Sequence, residues 1–156
     1  MKPAPKPVMI LLAEDDDDDF ALTRDALIES HLVNELRRVK DGEELMAYLH
    51  QNRASGDQET SPLPGLILLD LNMPRKDGRE CIREIRVDSA LRAIPIVVLT
   101  TSKAEEDVLR SYELGVNSFI KKPVTFQGLV EAVGILGRYW FEIVEMPVLA
   151  RSRGEP

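Results

Sequence analysis

Apolar residues in this chain come in short unbroken runs rather than alternating with polar ones. Leu66 to Asp70 reads Leu-Ile-Leu-Leu-Asp, Val8 to Ala13 reads Val-Met-Ile-Leu-Leu-Ala, and Pro95 to Thr100 reads Pro-Ile-Val-Val-Leu-Thr. A run with no polar alternate is the habit of a strand buried on both faces, as at the centre of a parallel sheet. Pro95 is tolerated because it opens its run. Glu35 to Lys40 is a weaker, charged strand suited to an edge, and Ser118 to Lys122 is a short last strand. Helical patterns separate them. One opens with Asp15 or Asp16 as N-cap and carries Phe20, Thr23 and Leu27 on one face. A second is capped by Asp41 to Glu44 and carries Leu45, Tyr48 and Leu49. A third runs through Cys81 to Arg86, a fourth opens with the capping box Ser102 to Glu105, and a fifth spans about Thr125 to Glu145. Residues 54–64, rich in Ser, Gly, Asp, Gln and Pro, read as a surface loop. Five strand and helix alternations predict a parallel sheet wrapped by helices on both faces.

At 156 residues the chain fits one domain. A net charge of −7 with scattered Lys and Arg disfavours nucleic acid as a partner. No apolar run is long enough for a membrane and no signal segment opens the chain, so a cytoplasmic protein is expected. The lone cysteine, Cys81, falls with Gly78, Ile82 and Ile85 at helical spacing and reads as a core residue, not a nucleophile. His31 and His50 have no partners at metal spacing and read as surface residues.

The strands end on polar side chains: Glu14 and Asp15 after the first, Asp70 and Asn72 after the central one, Thr100 after the next and Lys122 after the last. In an open α/β sheet these ends form one edge, where such folds place their chemistry. Carboxylates ~5 Å apart would repel by roughly 3 kcal/mol per pair at an effective dielectric of 20. A divalent cation bound by hard oxygens would offset that, and few carboxylates with room for water suit Mg²⁺; zinc is disfavoured because no Cys or His converges there. A metal-held carboxylate beside a Lys and a hydroxyl also suits phosphoryl transfer, with Asp70 as nucleophile forming an acyl phosphate. Asp17, Asp18 and Asp19 read differently, as a solvated helix start matched to the helix dipole.

The ordered set Glu14 and Asp15, Asp70 to Pro74 with Asp77 and Gly78, Thr100, and Lys122 with Pro123 resembles the receiver domain of two-component response regulators. The resemblance implies a flavodoxin-like doubly wound α/β fold, five parallel strands in the order 2-1-3-4-5 with five helices. It places the receiver domain over 8–146, between an N-terminal lead (1–7) and a C-terminal tail (147–156). It implies that Asp70 accepts a phosphoryl group, that Glu14, Asp15, Asp70 and the Asn72 backbone carbonyl hold Mg²⁺, and that Lys122 meets the phosphate, with a cis bond to Pro123. Two lysines are adjacent, and Lys122 is chosen over Lys121 because it directly precedes Pro123. Thr100 and Phe119 take the switch positions. Asp18 and Asp19, Asp77 to Glu80, Leu99 to Ser102, Ser111 to Leu114 with Val116 and Asn117, and Tyr139 to Phe141 resemble the small regulators paired with bacterial phytochromes. This implies phosphorelay signalling from a sensor histidine kinase, a bacteriophytochrome, with no catalysis beyond the protein's own phosphorylation and slow dephosphorylation.

Three other readings fit less well. A haloacid-dehalogenase-type phosphohydrolase also uses an Asp after a buried strand, but wants a second Asp where Asn72 stands. A nucleotide-binding module wants a Gly-rich turn where Glu14 and five Asp stand. A receiver that only binds partners would not need the whole phosphorylation set.

In the closing helix Phe126, Leu129, Val130, Val133, Leu136, Gly137, Trp140 and Val144 form a stripe to cover the sheet. Ala132, Ile135, Tyr139, Ile143 and Met146 form a second apolar flank. That flank predicts a homodimer face centred on Ile135, Tyr139 and Ile143, unless Met146 to Leu149 fold back over it. With no DNA-binding segment following Pro156, output is expected to be read from this surface.

Overall fold

A computed structural model describes residues 9–30, 35–55, 63–101 and 115–135. The strands are β1 (Met9–Ala13), β2 (Glu35–Val39), β3 (Leu66–Asp70), β4 (Ile96–Thr100) and β5 (Ser118–Lys121). All pair in parallel, in the order β2-β1-β3-β4-β5. The helices among the described residues are α1 (Asp17–Ser30), α2 (Gly42–Ser55), α3 (Gly78–Val87) and α4 (Phe126–Ile135). The expected helix opening at Ser102 lies outside the described residues, as do His31, Tyr139 and Ile143 and the side chain of Ile135.

The unbroken apolar runs follow from a sheet with two cores. Successive strand residues point to opposite faces. On one face Leu11, Ala13, Ile67, Leu69, Ile96 and Val98 pack with Leu45, Leu49, Cys81, Ile82 and Ile85. On the other Ile10, Leu12, Leu66, Leu68, Val97 and Leu99 pack with Ala26, Leu27 and Leu129. A polar residue anywhere in β1, β3 or β4 before its last position would therefore enter a core. β2 stands at the edge as expected, and four of its five residues are only half-buried.

The caps follow the sequence. Asp16 rather than Asp15 caps α1, its Oδ2 accepting from the Asp19 N–H at 3.0 Å. Asp41 Oδ1 accepts from the Glu44 N–H at 2.8 Å, while Glu44 reaches back to the Lys40 N–H. Asp77 Oδ1 accepts from the Arg79 N–H at 2.7 Å. Gly78 lets α3 start against the end of β3, since a Cβ there would stand 2.9 Å from the Leu71 Cα. Cys81, Gly78, Ile82 and Ile85 are all buried, as their spacing predicts.

One helix differs from expectation. In α4 Leu129 is fully buried, but Phe126 and Val130 are each 44% exposed. α4 packs on α1 and on the edge strand β5, so the covered stripe is narrower than one facing a full sheet.

Candidate functional site

The sheet's carboxyl edge gathers residues from four strands. Glu14, one residue past β1, is fully buried, and Asp70 and Thr100, the last residues of β3 and β4, are almost so. Asp15 is exposed. Register explains the convergence: Ala13 pairs with Leu69 and Asp70 with Leu99, so adjacent strands end level. Carboxylate oxygens of Glu14, Asp15 and Asp70 all lie within 4.8 Å of one another, a separation at which one cation could reach all three.

Lys122 follows β5 and turns into this pocket. Its backbone N–H donates to the Thr100 carbonyl at 2.9 Å, and its bond to Pro123 is cis. The Nζ lies 2.8 Å from Glu14 Oε1, 2.9 Å from Asp19 Oδ2 and 3.1 Å from Asp70 Oδ2. Lys121, one residue earlier, is exposed. Asp70 Oδ1 accepts from the Asn72 N–H at 3.1 Å. The Asn72 side chain is exposed.

Asp19 is a correction to the sequence reading, which left it with Asp17 and Asp18 as a solvated helix start. Asp17 is exposed and pairs with Arg38, and Asp18 is exposed, but Asp19 faces the pocket and meets Lys122. A signal was available. α1 starts three residues after Glu14, so its first turn, which contains position 19, stays close to the sheet edge. Arg38 also went unnoticed. Its Nε donates to the Glu14 carbonyl at 2.9 Å and its guanidinium lies 4.4 Å from the Phe20 ring, tying the acidic loop to β2 and α1.

The electrostatics of the pocket are unbalanced. Burial first, then the charge of Asp70, push Glu14 up to about 7, against the opposing pull of Lys122. Burial alone would lower Lys122, but its contacts with Glu14 and Asp19 and the charge of Asp70 outweigh that and raise it. Glu14 Oε1 meets the ammonium at ion-pair distance without an aligned hydrogen bond. One cation thus faces several carboxylates, and the donor set of hard oxygens fits a further divalent ion.

Cys81 is buried behind the pocket, its Sγ–H directed at the Gly42 carbonyl at 3.6 Å, and burial pushes its thiol up to about 12. That makes it a packing residue. Phe119 is half-buried and packs against the α2 and α3 side of the core. His50 is exposed on α2. Among the described residues no helix is long and apolar enough to cross a membrane.

A 2-1-3-4-5 parallel sheet carrying clustered acids and an invading lysine on its carboxyl edge defines a flavodoxin-like phosphoacceptor module. Residues 10–134 match the family model described as the response regulator receiver domain, and the chain belongs to that family, a family of phosphoacceptor signalling proteins. It is 45% identical over 141 residues to response regulator Rcp1 of Synechocystis sp. (strain ATCC 27184 / PCC 6803 / Kazusa), covering 90% of this chain and 94% of the relative. Among solved structures it is similar to the bacteriophytochrome response regulator RtBRR, with a TM-score of 0.76 and 44% identity over 85% of this chain and 79% of that one. The Mn(2+)-bound form of Rcp1 gives a TM-score of 0.67 at 45% identity, over 90% and 99% of the two chains. The phosphorylated cyanobacterial phytochrome response regulator RcpA gives 0.68 at 41% identity, over 91% and 99%.

Proposed function

We propose that this receiver, spanning 8–146 between a lead (1–7) and a tail (147–156), takes a phosphoryl group on Asp70 from a sensor histidine kinase of the phytochrome class. The observation that carries the reading is the Lys122 ammonium 3.1 Å from Asp70 Oδ2, beside carboxylates of Glu14, Asp15 and Asp70 within 4.8 Å of one another. In the step, a carboxylate oxygen of Asp70 bonds to phosphorus as the bond from phosphorus to the kinase histidine nitrogen breaks. The electron pair leaves with the imidazole and an acyl phosphate remains. Lys122 and the Thr100 hydroxyl offset charge on the phosphoryl oxygens. Mg²⁺, held by Glu14, Asp15, Asp70 and the Asn72 carbonyl, supplies further positive charge there when bound. The Mn(2+)-bound relative supports a divalent ion, and the phytochrome regulators among the relatives support the class of kinase.

Output follows from the same edge. A phosphoryl group draws Thr100 inward and lets half-buried Phe119 sink further, altering the face around β5 and the closing helix. Equal solvent accessibility of Phe119 with and without an acyl-phosphate mimic would count against this. The second apolar flank, at Ile135, Tyr139 and Ile143, pairs two copies of this cytoplasmic protein. Tyr139→Glu with Ile143→Glu is expected to give monomers by light scattering at micromolar concentration, and a wild type already monomeric there removes the dimer.

Incubation with Mg²⁺ and acetyl phosphate tests the central claim. A stoichiometric, hydroxylamine-labile label is expected on the wild type and none on Asp70→Asn. Labelling of that variant at the normal rate, or continuous turnover of diverse phosphoesters, overturns it.

A further inference from the structure

We propose that Asp19 is a positioning residue for Lys122: it fixes the ammonium so that one N–H always faces Asp70 and whatever group forms there. The proposal rests on the reading of Asp70 as phosphoacceptor and adds a residue that reading does not use.

An ammonium has three donors and no acceptor. Here it has three carboxylate neighbours from three separate elements: Glu14 after β1, Asp19 on α1 and Asp70 on β3. Two of these contacts are aligned hydrogen bonds, those to Asp19 at 2.9 Å and to Asp70 at 3.1 Å. The two have different fates. Asp70 changes chemically when it is phosphorylated, and the donor facing it must then turn to a phosphoryl oxygen. Asp19 does not change, so it is the aligned partner that survives the step.

Asp19 is also well anchored for this task. Its N–H is bound by the Asp16 cap and its carbonyl accepts from Thr23 Oγ1 at 2.8 Å, with Thr23 buried. Its side chain is 31% exposed, so its carboxylate keeps contact with water and carries less desolvation cost than Glu14. A lysine side chain loses rotamer freedom when fixed, and a partner that holds it before reaction removes that loss from the barrier.

A double-mutant cycle on the full chain tests the idea. With saturating Mg²⁺ and acetyl phosphate, Asp19→Ala is expected to slow labelling about tenfold or more, mainly in the maximal rate rather than in donor KM. Asp19→Asn, which keeps an acceptor oxygen and the shape, is expected to recover to within about threefold. In a Lys122→Ala background, Asp19→Ala should change the rate by less than about twofold. An equal drop in both backgrounds, or none in the wild type, overturns the proposal. The same cycle followed by thermal unfolding in metal-free buffer needs no phosphorylation. Asp19→Ala should lower the midpoint by about 2–4 °C with Lys122 present, and not with Ala at 122. Additive midpoint shifts would refute the coupling. If nothing is labelled, the Asp70 reading fails by itself, and the thermal cycle still decides for or against Asp19.

Discussion

The two edges of the sheet handle a partly buried cation in opposite ways. At the carboxyl edge the Lys122 ammonium sits among three carboxylates, two of them almost wholly buried. At the amino edge Arg86, near the end of α3, spreads its guanidinium over neutral oxygens. Its Nη1 donates to the Arg92 and Ile94 carbonyls, each at 2.8 Å, and its Nε to the Gly115 carbonyl at 2.9 Å. Its Nη2 reaches Gly115 O and Asn117 Oδ1. Asn117 Oδ1 in turn accepts from the Ile96 N–H at 2.8 Å, so the clamp joins α3 to the starts of β4 and β5. Gly115 stands at φ +76°, and a Cβ there would meet Arg86 Nε at 2.9 Å, so the left-handed backbone and the close approach both require glycine. Dipoles facing a fixed fork make a joint with one stable arrangement. Charges that do not balance, among hard oxygen donors, make a site suited to a further divalent cation.

The largest effect that could break this contrast is on chemistry. Lys122→Ala is expected to lower phosphorylation by acetyl phosphate about 100-fold, the scale seen when one charge-stabilising donor is removed. Arg86→Ala should leave the rate within about twofold. Comparable losses in both variants would mean that the amino edge is part of the mechanism.

On stability the order reverses. Arg86→Ala leaves three backbone carbonyls, those of Arg92, Ile94 and Gly115, without their donor, and is expected to cost about 2–3 kcal/mol by urea unfolding. A cost below about 0.5 kcal/mol would show that water replaces the guanidinium freely. Metal linkage should appear only at the other edge. Mg²⁺ at about 100 times its dissociation constant is expected to add about 2.7 kcal/mol of stability to the wild type and to Arg86→Ala. Asp15→Ala should lose that gain, and an unchanged gain would move the metal to other aspartates of the run.

The contrast also explains what could be read from the sequence. Strands buried on both faces must be apolar at every position, so β1, β3 and β4 announce themselves, and their polar last residues mark the edge. Glu14, Asp15, Asp70 and Lys122 were therefore legible from where the runs stop. Asp19 was legible only in its nearness to that edge, because its partner lies 103 residues away and helix capping already accounts for an acid in a first turn. Arg86 was not, because its partners are backbone carbonyls, which every residue has. Gly42 carried no signal either, although a Cβ there would stand 2.1 Å from the Lys76 carbonyl oxygen, where α2 begins against the loop that precedes α3. Phe126 and Val130 misled because helical periodicity locates an apolar face but not how much of it the neighbours cover.

The smallest expected effect concerns Cys81, a buried titratable group that belongs to neither edge. Its thiol is pushed up to about 12 by burial, whereas an unfolded chain loses the same proton near 9. Between those values the folded protein binds more protons than the unfolded one, so stability falls as pH rises. The slope is at most about 1.4 kcal/mol per pH unit, and below about pH 9 the thiol contributes no pH dependence. Other groups titrate in the same range, so the measurement is the difference between wild type and Cys81→Ala. At neutral pH the variant is less stable, because it leaves a small cavity beside Ile82 and Ile85. As pH climbs from 9 toward 11 the wild type's advantage should shrink, since only the wild type is penalised for keeping a thiol protonated. In the same window the thiol of folded wild type should resist alkylation. A difference that stays constant with pH, or rapid alkylation at pH 8 without unfolding, would show that Cys81 reaches solvent and that burial does not hold its thiol protonated.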